Sequence, residues 1–99
     1  MINQTYNLAM KTMDSYPSTQ KPKLKSYLRS KLELSSPEAN GLVNEYRAIK
    51  DACYKLATEV FSKELSGSLF ETEIFSQYPR LEKGLKADWV NESMMAQFR

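Results

Sequence analysis

Between Leu42 and Ser66 the chain contains neither proline nor glycine, and apolar residues recur at Ala39, Leu42, Tyr46, Ile49, Cys53, Leu56 and Val60, in alternating steps of three and four. Residues so spaced share one side of an α-helix, and a seam of this length is the a/d pattern of packed helices. It predicts one long central helix over about residues 37–65. At 1.5 Å per residue, about 28 residues span roughly 42 Å. Covering that seam takes two shorter helices end to end, the long C-terminal segment, or a second copy of the chain.

The flanking segments supply the neighbours. Residues 2–16 place Ile2, Tyr6, Ala9, Met10 and Met13 on one helical face, and Pro17 cannot continue that helix. "PSTQKP" reads as a loop, with Pro22 in the first turn of a second helix that carries Leu24, Tyr27, Leu28 and Leu32 on one side. Ser36 as N-cap, Pro37 at the first helical position and Glu38 near the positive end of the dipole open the central helix. "SGS" at 66–68 stops it, and Ser68 with Glu71 fits a capping box that opens a short fourth helix ending near Pro79. The apolar residues of that helix, Leu69, Phe70, Ile74, Phe75 and Tyr78, spread around most of an α-helical wheel, which marks a segment either deeply buried or awaiting a partner. Residues 80–98 offer Leu81, Leu85, Trp89, Val90, Met94 and Phe98 as a last amphipathic helix. The expected fold is all-α, a four- or five-helix bundle built on the long central helix, with residues 1–99 as a single helical domain.

Much chemistry has no residues to run on. The absence of histidine removes the commonest general base, the Ser-His and Cys-His pairs and imidazole metal sites. The lone cysteine, Cys53, falls on the apolar seam and reads as a buried structural thiol. Through three glycines no phosphate-cradling motif can be written, and Glu71 and Glu73, two apart, diverge on a helix. No catalytic, cofactor-binding or metal-binding residue is expected, and the chain is not read as an enzyme. No apolar run approaches the roughly 20 residues of a membrane span. The N-terminus shows neither a basic leader nor an apolar run, and a single cysteine suits a reducing compartment, so the expected location is cytoplasmic, with no membrane partner.

"LRSKLELSSPEANGLVNEY" resembles the helix-turn-helix pattern of bacterial regulators: Leu28, Leu32, Leu34, Ala39, Leu42 and Val43 stand at its apolar positions and Ser35 opens the turn. The resemblance covers about a fifth of the chain. Arg29 stands where a small residue lets the helices approach, and Glu33 where glycine makes the turn. The would-be recognition helix offers Ser36, Glu38, Asn40, Gly41, Asn44 and Glu45, of which only Asn40 and Asn44 suit a DNA groove. Residues 1–34 carry Lys11, Lys21, Lys23, Lys25, Arg29 and Lys31 against Asp14 and Glu33, a net +4 in a chain of +2. Lys21, Lys25 and Arg29, spaced by four, form a basic surface suited to weak nonspecific contact with nucleic acid, or simply the wet face of the second helix.

The aromatics point elsewhere. Phe70, Phe75, Tyr78 and Trp89 lie within twenty residues, flanked by Glu71, Glu73 and Glu82, and make candidate anchors for a partner. The functional expectation is a nonenzymatic protein-binding module of the inhibitor, immunity, antitoxin or chaperone kind, an analogy from size and architecture, with another protein or a second copy as partner. The alternative is a nucleic-acid-associated regulator using a degenerate helix-turn-helix and the basic second helix.

Overall fold

A computed structural model describes residues 3–16 and 23–98. The chain is all-α and its bundle is built on one long central helix, α3 (Ser36–Lys63). It divides into two compact units, Met1–Arg47 and Ala48–Arg99.

In the first unit α1 (Asn3–Asp14) packs on α2 (Leu24–Leu32). Tyr6, Ala9, Met10 and Met13 are buried on α1, as are Leu24 and Leu28 on α2, while Tyr27 and Leu32 are half-buried. Ile2, Pro17 and the 17–22 loop with Pro22 lie outside the described residues. Buried Asn7 donates from Nδ2 to the Asn3 carbonyl at 2.8 Å, so its burial leaves no unmet donor there. The first turns of α3 bury Ala39, Leu42, Val43 and Tyr46. The Tyr46 hydroxyl donates to Asp14 Oδ1 at 2.8 Å, tying α3 to the end of α1.

The start of α3 differs from the sequence expectation by one residue. Ser35, not Ser36, is the cap: Ser35 Oγ accepts the Glu38 N–H at 3.3 Å, and Glu38 Oε1 accepts the Ser35 N–H at 3.2 Å. Only the three-residue spacing lets cap and carboxylate reciprocate, so Pro37 moves one place into the helix. The bonds to Ser35 also hold the Glu38 carboxyl below its ordinary value of 4.5.

Along α3 the stripe is buried by the chain itself at Ile49, Cys53 and Val60, but the expected Leu56 is only half-buried and Ala57 is fully buried instead. Ala57 follows Ala39 by about five whole turns at 3.6 residues per turn, whereas a strict heptad drifts ~20° each repeat. Burial at Ala57 in place of Leu56 follows the 3.6 period. It ends at Lys63, where Glu64 takes a left-handed φ of 52° and the Leu65 N–H donates to the Val60 carbonyl at 3.1 Å. The expected stop at "SGS" therefore comes a few residues early, and Gly67 has no positive φ.

The expected fourth helix, in the second unit, is not an α-helix. Phe70–Ile74 forms a π-turn, with the Phe75 N–H reaching the Phe70 carbonyl five residues back, followed by a 3₁₀ turn at Phe75–Gln77. A wider turn brings residues 70, 74 and 75 to one side, and Phe70, Ile74 and Phe75 are all buried. The expected Ser68–Glu71 capping box does not form. Ser66 Oγ accepts the Ser68 N–H at 3.2 Å, while the Glu71 carboxylate turns toward Lys86. α4 (Lys83–Met95), extended by a 3₁₀ turn at Ala96–Phe98, buries Leu85, Trp89 and Ser93.

Two predictions follow from this register. Ile49→Asp and Ala57→Asp should each abolish the cooperative melt seen by circular dichroism, since an unpaired buried carboxylate costs several kcal/mol against a stability of about 5–15. Leu56→Asp should melt distinctly later than either. Glu33→Gly and Glu64→Gly should each raise the melting temperature, by relieving up to ~1 kcal/mol of left-handed strain at φ 52°.

Candidate functional site

α4 presents apolar residues on two sides. Leu85, Trp89 and Ser93 recur every four residues and are buried. Ala87, Val90 and Met94, at steps of three and four on another side, are exposed or half-buried. Together with Phe70 and Phe75 of the π-turn segment they line an open groove of about 490 Å³, in the size range of binding sites. The groove is edged by Lys83, Lys86, Glu71 and Asn91, and Gly67 lines it from the side of the π-turn. Lys86 Nζ sits 3.7 Å from Glu71 Oε1 and 5.7 Å from the Phe75 ring centroid, so its stem covers apolar surface while its head stays at the rim.

Of the anticipated aromatic anchors, Phe70 and Phe75 reach this groove, but with only 2% and 3% of their surface exposed they form its floor. Trp89 has no exposed surface: it lies on the inward side of α4, with Lys50 Nζ 5.2 Å from its ring centroid. Any role of Trp89 in binding would act through packing. Tyr78 is half-buried and does not line the groove. The groove-lining residues that keep surface accessible include Val90, Met94 and Lys83. Their signal in the sequence is a second line on the α4 wheel, residues 83, 87, 90 and 94, displaced from the 85, 89, 93 line.

Of the basic surface, Lys25 is half-buried, Arg29 exposed, and Lys21 outside the described residues. Arg29 Nε donates to the Leu34 carbonyl at 3.2 Å, so this side chain braces the corner between α2 and α3. Glu33 adopts φ 52° and ψ 43° there, the left-handed conformation for which a helix-turn-helix turn uses glycine. Beyond the corner Glu38, Asn40 and Asn44 are exposed. Tyr16 and Tyr27 pack ring to ring at 4.0 Å, with Lys31 Nζ 5.5 Å from the Tyr27 centroid.

Elsewhere in the second unit Lys50 pairs with Glu92 at 2.8 Å beside a recess of about 210 Å³ that also meets Tyr54, below the size of typical ligand sites. Exposed Phe61 meets Phe98 edge-on at 5.1 Å. Among the described residues no group of three or more His, Cys, Asp or Glu could hold a metal ion, and no helix is long and apolar enough to cross a membrane. Cys53 is free and buried. Burial pushes its thiol from 9.0 up to about 11, with Lys50 opposing and Glu92 adding to the rise. No protein family, curated protein or solved structure matches the chain.

The raised thiol has a measurable consequence. Because the folded value lies above the unfolded one, the contribution of Cys53 to stability is complete below about 9 and is lost as pH rises from there through about 11. Titration with a thiol-reactive dye at pH 8 should label native protein far more slowly than urea-unfolded protein. Equal rates would contradict the burial of Cys53.

Proposed function

We propose that this protein is a nonenzymatic protein-binding module, of the inhibitor, immunity, antitoxin or chaperone kind, that takes its partner into the groove beside α4. The observation carrying this reading is the two-sided α4: one side is consumed by Leu85 and Trp89, and the other leaves Val90 and Met94 in an open apolar groove over Phe70 and Phe75. Burying such a surface is the main source of binding energy in protein association. The chain's chemistry supports a binding role, since it has no histidine and its one thiol is buried and held protonated. A reducing cytoplasm suits that free thiol.

The left-handed Glu33 corner favours a second reading, a nucleic-acid-associated regulator using α2 and the start of α3. Exposed Glu38 works against it, because a carboxylate facing phosphate repels.

The two readings separate in one experiment. Val90→Gln and Met94→Gln, at sites not fully buried, should keep the wild-type melting curve yet weaken binding of the cellular partner by ~1 kcal/mol or more, while Asn40→Ala and Asn44→Ala leave it unchanged. Competitor-resistant binding of one DNA duplex near physiological salt, lost on Asn40→Ala, would instead establish the second reading.

A further inference from the structure

We infer that the occupant of the groove is an amphipathic helix of another protein, about three turns long, carrying a carboxylate at the end that meets Lys83. This rests on the groove being the binding site. The α4 wall of the groove runs from Lys83 through Lys86, Val90 and Asn91 to Met94, about 16 Å of helix axis at 1.5 Å per residue. That length matches apolar anchors at i, i+3 or i+4, and i+7 of a docked helix. Its shallow, open form suits a laid-in helix better than a small molecule, which is usually mostly enclosed.

Charge sets the chemistry of the occupant. Two cations, Lys83 and Lys86, and one anion, Glu71, stand on the rim, a balance of +2 − 1 = +1. Lys86 is already opposed by Glu71 at 3.7 Å, with its stem over Phe75. Lys83 is exposed and no ion pair holds it among the described residues. The excess cation lies at one end of the groove, whereas the other end, Asn91 and Met94, is uncharged. An acidic residue on one flank of the partner helix would complement Lys83 and fix its direction along α4.

The probe is a phage-displayed library of helical 16-residue peptides selected against the full-length chain. Enriched peptides should show apolar residues at helical spacing with Asp or Glu at one end. The synthetic best binder should lose at least about tenfold affinity to Val90→Gln and to Gly67→Phe. The second variant adds bulk at the groove's edge, where a Cβ at Gly67 meets nothing within 4 Å, and an unchanged melting curve checks that the core is undisturbed. Lys83→Glu should cost the acidic peptide about tenfold and be rescued by exchanging the peptide's acid for lysine. Peptides that need Val90 but show no acidic bias and ignore Lys83→Glu would overturn the acidic helix while leaving the groove as the site. Binders indifferent to Val90→Gln and Gly67→Phe would overturn both. A concentration-dependent dimer in light scattering, dissolved by Gly67→Phe, would replace the foreign helix with a second copy of the chain.

Discussion

The apolar stripe of α3 is the constraint on which the rest depends. Most of a helix's stability in a protein comes from packing such a stripe, and Ala39, Leu42, Tyr46, Ile49, Cys53, Ala57 and Val60 are each no more than 6% exposed. The coverage comes from this chain alone, so a second copy is not needed for it. In the first unit the stripe is accompanied by α1 and α2, with the Tyr46–Asp14 hydrogen bond fixing the register of α3 against α1. In the second, Lys50 ties α3 to α4 through Glu92 and the ring of Trp89. That exposed pair contributes little energy by itself, and the packing of Trp89 carries the junction.

Filling the core of the second unit has a geometric cost that leads to the groove. Phe70, Ile74 and Phe75 spread over a wide arc of an α-helix, and the i→i+5 turn draws them closer together by widening the backbone locally. The same turn frees Glu71 from its expected capping role and sends it to Lys86. Once α4 has delivered Leu85 and Trp89 inward, its other apolar residues Ala87, Val90 and Met94 are left exposed or half-buried among the described residues. An open apolar groove thus arises as the residue of the packing problem, with a basic end supplied by the first turn of α4.

What the sequence made legible was whatever a single period encodes: the long uninterrupted helix, the buried Tyr6, Ala9, Met10 and Met13 of α1, Leu24 and Leu28 of α2, and the Leu81, Leu85, Trp89 line. Features depending on a choice between near-equal local alternatives were not. Ser35 and Ser36 differ only in which can reach Glu38. Glu64, a residue with no preference for left-handed backbone, ends α3 ahead of the glycine that advertised a stop. The π-turn has no sequence signature beyond aromatics that fit no α-helical face. For the candidate site, Phe70 and Phe75 were legible as aromatics but not as floor, because a wheel cannot show depth. Val90 and Met94 were hidden by being counted with the inward line, although their offset from Leu85 and Trp89 was already visible in the spacing.

The central claim is that α4 is packed on one apolar side and open on the other. Methyl NMR with a soluble paramagnetic probe measures this directly. The resonances of Ala87, Val90 and Met94 should broaden strongly, and those of Leu85 and Ile74 should stay sharp, in line with their exposure. Val90 and Met94 methyls as protected as Leu85 in the isolated chain would contradict the account, since the groove would then already be filled.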